Sequence, residues 1–152
     1  MTRISLILTL IILTMASFTP AAGYFCHKSG LSGHVYFISG NQMPSPDRQI
    51  QAPAGMQTTL YIYELTNMSQ VSRDGVTPFY KAISTKLVKA VETKADGSFS
   101  VKLKPGRYSL FVKKGDLFFA SIFDGDNNIY PVEIARGKMT NEEFKVNYSA
   151  TY

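Results

Sequence analysis

The chain has 152 residues, of which 45% are hydrophobic and 18% charged, and its formal net charge is +5. That length fits one domain, and the apolar content supplies a core, which excludes a disordered chain. A single Cys excludes an internal disulfide framework and a multi-cysteine zinc site, and two His leave little material for a His-based metal centre or a general base.

Residues 1–22 read as an export signal. Arg3 supplies the charged start, Ile4 to Met15 (ISLILTLIILTM) the apolar run, and Ala16 to Ala22 (ASFTPAA) a small-residue stretch suited to a signal peptidase. The alternative is a retained membrane anchor. The run is short of the roughly 20 residues that a spanning helix needs, and Pro20 breaks it, so cleavage after Ala21 or Ala22 is expected. Cys26 opens a second alternative, a lipid anchor, with the domain tethered through its acylated sulfur. Phe25 just before it fits a lipoprotein peptidase poorly, and a single acyl chain binds membranes weakly; otherwise Cys26 is a free thiol on a mobile tail, residues 23–30. The expected destination is the periplasm or cell envelope, with membrane contact only through a lipidated Cys26. Residues 31–152 are expected to form the domain.

Removing residues 1–22 takes away Arg3 and no acid, so the net charge falls from +5 to +4. The densest basic cluster is Lys102, Lys104, Arg107, Lys113 and Lys114. Strand alternation puts most of it on solvent faces. The competing reading is a phosphate-binding patch, but the neighbouring aromatics read as buried rather than as stacking platforms, so no nucleic-acid partner is expected.

Beyond the signal the chain reads as short strands, with no helical periodicity beyond two turns. His34–Ser39 is the first. Gly40 to Gly55 (GNQMPSPDRQIQAPAG) follows as a long proline-rich loop, and Thr58–Leu65 is a strand apolar on both faces. Thr66 to Phe79 is polar and reads as a second long loop. Thr85–Thr93 is a strand, and Ala95-Asp96-Gly97 a tight hairpin. Ser98–Leu103 aligns Phe99, Val101 and Leu103 on one face. Lys104-Pro105-Gly106 is a Pro-Gly turn, and Arg107–Lys113 aligns Tyr108, Leu110 and Val112. Leu117–Phe123 and Tyr130–Ala135 flank an Asp/Asn/Gly turn at 124–128. Glu143–Tyr148 aligns Phe144, Val146 and Tyr148. One face toward a core and one toward water is the antiparallel pattern, and turn signals every 8–12 residues predict an all-β sandwich.

Asp124, Asp126 and Asn128 have the alternate spacing of a calcium loop. Ile129 and Ala135 stand where an EF-hand needs Gly and Glu, so a self-bonded turn is the competing and simpler reading. In the proline-rich loop, Gln42, Met43 and Arg48 could be presented to a partner; alternatively Met43 and Met56 pack the loop back onto the sheet. No Gly-x-Ser-x-Gly elbow and no phosphate loop is present. Asn67-Met68-Ser69 and Asn147-Tyr148-Ser149 match the glycosylation acceptor, which matters only in a eukaryotic host.

The stretch Thr93 to Val112 (TKADGSFSVKLKPGRYSLFV) resembles the carboxypeptidase regulatory-like domain family in its Asp-Gly-x-Phe hairpin, alternating strand, Pro-Gly turn and Tyr-x-Leu strand. Leu31 to Val35 is similar to that family's first strand, and Gly40 to Pro44 with Tyr61 to Leu65 resembles a subgroup exported by Bacteroidota. The resemblance spans about residues 31–148 and implies a seven- or eight-stranded Greek-key β-sandwich of the transthyretin (prealbumin-like) type. It also implies a folding aid, spacer or interaction surface, with no cofactor. The enzymatic branch of that superfold, the hydroxyisourate hydrolases, carries a C-terminal Tyr-Arg-Gly-Ser motif. This chain ends NYSATY, and His34 stands alone near the first strand. The expectation is therefore a non-catalytic envelope module with a protein or glycan partner. The glycan alternative rests on Tyr61, Tyr63 and Phe111 lying on an open sheet face.

Overall fold

The computed structural model describes residues 28–43, 52–75 and 78–151. Eleven strands run through them: β1 (Gly30–Asn41), β2 (Ala54–Gly55), β3 (Thr59–Glu64), β4 (Val71–Arg73), β5 (Phe79–Ile83), β6 (Leu87–Glu92), β7 (Ser98–Lys102), β8 (Gly106–Lys114), β9 (Leu117–Phe119), β10 (Pro131–Ile134) and β11 (Met139–Thr151). Eight of them have four or more residues, and β2, β4 and β9 are two- or three-residue stubs. A 3-10 turn, Met68–Gln70, precedes β4. The chain is an all-β sandwich of two sheets.

The smaller sheet is built around β1. The long β11 runs parallel to it on one side, while β7 and β2 pair antiparallel with successive stretches of its other side. The larger sheet runs β4-β5-β9-β8-β3-β6, with β10 on the same flank of β8 as β9. Period-two alternation sends Leu31, Val35, Phe99, Val101, Phe144 and Val146 inward from the smaller sheet. Leu60, Ile62, Leu110, Val112 and Phe119 meet them from the larger one, all of them buried.

Each of the eight strands read from the sequence is present. Two differences have physical causes. Thr66 to Phe79, read as a loop, contains the 3-10 turn, β4 and the start of β5. Its polar side chains cap backbone instead of alternating: Asn67 accepts from the Ser69 N–H at 3.1 Å while Gln70 accepts from the Asn67 N–H at 2.8 Å. In β8, Phe111 faces away from Leu110 and Val112 and is as fully buried as they are. The outer face of the larger sheet is therefore covered around Phe111. Phe111 meets Tyr63, Tyr80 and Phe118 edge-on, with centroids 5.6, 5.9 and 6.3 Å away.

Candidate functional site

The sandwich splits at the Asp96–Gly97 hairpin. β6 enters it as the edge of the larger sheet, and β7 leaves it into the smaller sheet. The turn is pinned by Lys94 N–H donating to the Ser98 carbonyl at 2.9 Å, and by Ser98 N–H donating to the Asp96 carboxylate at 2.9 Å. Gly97 is required there. Its φ is +80°, and a Cβ would collide with the Val35 carbonyl. Thr93, buried at the root, accepts the Thr58 N–H at 2.8 Å and donates to the Met56 carbonyl at 2.7 Å. From this fixed point β6 and β7 run into different sheets, with an opening between them.

The opening is a groove of about 550 Å³, walled by Lys86 to Lys89, by Lys102 to Lys104, and by Gly106 to Tyr108 with Glu64. Five of its side chains are cationic (Lys86, Lys89, Lys102, Lys104 and Arg107) and Glu64 is the one carboxylate. Leu87, Val88, Leu103 and Tyr108 give it an apolar lining. Leu87 and Val88 are 42% and 39% exposed, which is high for aliphatic side chains on a strand. Tyr108 is fixed by its hydroxyl donating to the Lys104 carbonyl at 2.9 Å. Arg107 pairs with Asp124 at 3.2 Å. Among the described residues, no carboxylate lies within ion-pair distance of Lys86, Lys89, Lys102 or Lys104. Among the described residues β6 pairs with β3 alone, which leaves its other edge without a strand partner.

The sequence singled out Lys102, Lys104 and Arg107 as part of a basic cluster, and the fold brings those three together with Lys86 and Lys89. The other two members lie elsewhere. Lys113 sits over the rings of Tyr61 and Phe118, 5.4 and 4.8 Å from their centroids. Lys114 sits over Tyr148 at 4.0 Å. Lys86 and Lys89 are remote in sequence from that cluster, and the β3–β6 and β3–β8 registers together bring their strand beside the Pro-Gly turn.

The remaining candidates are placed as follows. Tyr63 is 8% exposed and Phe111 fully buried, while Tyr61 is half-buried. The open aromatic face expected of these three is thus a packed cluster, closed on one side by Tyr80, whose hydroxyl reaches Met68 and the Ala120 carbonyl. Met43 is 53% exposed rather than folded back, whereas Met56 packs against the core. Gln42 is half-buried and tied to the end of β11 by its N–H donating to the Thr151 carbonyl at 2.8 Å. Arg48 and Cys26 lie outside the described residues.

Asp124 spends its carboxylate within its own turn. One oxygen accepts the Asn128 and Asp126 N–H groups at 2.8 and 3.0 Å, and the other accepts the Asn128 amide at 2.8 Å and Arg107. The Asn128 amide, the two backbone donors and Arg107 hold Asp124 below the usual carboxylate range. Asp126 lends its backbone carbonyl to the Asn67 amide at 2.7 Å. The alternating Asp/Asn spacing thus forms a side-chain-to-backbone turn, and no metal-binding cluster of three or more His, Cys, Asp or Glu occurs among the described residues. His34 lies on the outer face of the smaller sheet, stacked on Tyr36 at 5.6 Å.

No protein-family model, curated protein or solved structure matches this chain.

Proposed function

We propose that this chain is an exported, non-catalytic β-sandwich module of a bacterial cell envelope that works by binding a partner protein. The export layout of residues 1–22 and the resemblance of Thr93 to Val112 to carboxypeptidase regulatory-like domains support the compartment and the module character. The wedge groove carries the reading. Among the described residues it sets an unpaired strand edge, exposed Leu87 and Val88, and four lysines without acidic partners at one end of the sandwich. Strand edges of this kind are where proteins add a strand from a partner.

A glycan partner is the second reading, and it is the less favoured one. Of its three rings Tyr63 and Phe111 are buried, and Tyr61 carries Lys113 over its face. Two measurements test the assignment. The intact mass of the natively expressed N-terminus should begin unmodified near Ala22 or Gly23, or at a lipid-modified Cys26. A mass that retains residues 1–22 removes the module from this compartment. A photo-crosslinking side chain placed in turn at Val88, Met43 and Ser100 should trap a protein in the native envelope. Binding on a glycan array that is lost in Tyr61→Ala, without a protein adduct at any of the three positions, would overturn the reading.

A further inference from the structure

We infer that the groove between β6 and β7 takes an acidic, extended peptide segment, laid along the open edge of β6 as an added strand. The inference rests on the protein-binding reading above and names the chemistry of the partner.

Among the described residues, Lys86, Lys89, Lys102 and Lys104 line one groove without an ion-pair partner, and only Glu64 opposes them in the lining. Like charges gathered beside a low-dielectric wall repel one another more strongly than they do in free water. An anionic occupant relieves that repulsion and gains attraction from each lysine. Arg107, held by Asp124, stays fixed at the groove mouth.

Thr93 N–H donates to the Thr58 carbonyl, so in the antiparallel register Val91 and Lys89 also turn their backbone groups toward β3. Glu92 and Ala90, further along β6 from the Lys86–Lys89 wall of the groove, therefore point theirs off the sheet. An extended peptide satisfies such groups, and a compact anion does not. Leu87, Val88, Leu103 and Tyr108 stand among the lysines around the groove. A strand with acidic and aliphatic residues in alternation matches both sets at once, because successive side chains of a strand face opposite ways.

The test uses a fluorescein-labelled peptide of alternating Glu and Val, titrated into the purified chain and followed by anisotropy. The peptide should bind, binding should weaken as salt is raised, and the matching Lys/Val peptide should not bind. Lys89→Glu combined with Lys102→Glu should lose at least about tenfold in affinity, and Lys113→Glu, off the groove, should change nothing. Ala90→Pro removes an outward N–H at an edge position that tolerates proline, so it should weaken binding with the circular dichroism melt unchanged. If the Ala90→Pro melt falls, Ala90 N-methylated by chemical synthesis replaces it. Equal affinity of the Lys/Val peptide, or indifference to the double charge reversal, overturns the inference. Inorganic phosphate or a sulfated glycan competing at concentrations that match the peptide overturns it in favour of a general anion site. Protein adducts at Met43 or Ser100 without peptide binding overturn the groove's occupant and leave the module reading standing.

Discussion

Tyr130 lies flat on Phe144, with ring centroids 4.4 Å apart and planes inclined by 23°. Its hydroxyl shares its one proton between the Glu143 carbonyl at 3.0 Å and the Glu142 carboxylate at 3.2 Å. The residue holds a backbone φ of +39°, uncommon for a bulky side chain, so the stacking and the shared hydrogen bond offset local strain. Tyr130→Phe keeps the stack and removes the bond. Loss of a buried donor that satisfies a carboxylate and a carbonyl should cost about 1–3 kcal/mol. Urea unfolding checks this as a lower midpoint with an unchanged slope.

Glu142 shares the inward parity of Phe144 and Val146 on β11 and is half-buried. Burial raises its pKa, the Tyr130 hydrogen bond pulls it down, and Glu143 pushes it up further. A carboxyl whose folded pKa is raised gives stability that is full below its unfolded value, about 4.3, and lost as pH rises through the folded value. Asp124 and Asp96 act in the opposite sense. Hydrogen bonds from Asn128 and from Ser98 lower their values, so their contribution is present above about 3.9 and lost as pH falls through the folded values. Glu142→Gln should therefore match the native chain near pH 3–4 and become progressively the more stable of the two as pH rises toward 7. Thermal melts across that range measure it; a constant offset would show that Glu142 does not titrate differently on folding.

The sequence makes the strands legible because their two faces differ. Ser98–Lys102 alternates cleanly, and Phe99 and Val101 are buried as the pattern requires. Legibility fails where both faces are covered or where pairing partners are remote. Phe111 looks like the solvent side of its strand until β3, β5 and β9 bring Tyr63, Tyr80 and Phe118 around it. The groove was half legible. Lys102, Lys104 and Arg107 are near neighbours in sequence, while Lys86 and Lys89 join them through the β3–β6 and β3–β8 registers.

The two faces near the Pro-Gly turn give a direct check. Leu110 is fully buried between the sheets, so Leu110→Ala should cost about 2–5 kcal/mol through lost contact and cavity. Lys102, exposed at the end of β7, should cost no more than about 0.5 kcal/mol as Lys102→Ala. Equal midpoints for the two variants in a chemical denaturation series would overturn the placement of the core.

Gly33 of β1 lies close against Glu142 of β11. A Cβ on Gly33 would collide with the Glu142 carbonyl, and the φ of +152° already disfavours an L side chain. Relief requires β1 and β11 to separate, and that pairing joins the two ends of the domain. Gly33→Ala should therefore cost more than about 3 kcal/mol and abolish the cooperative melt if native stability is modest. Gly40→Ala is the control. Gly40 also has a positive φ, +76°, but has open space around its Cβ position, so it should cost only about 1–2 kcal/mol of backbone strain. Similar costs for the two would mean that conformation alone selects glycine at position 33, with no part played by the contact that locks β1 to β11.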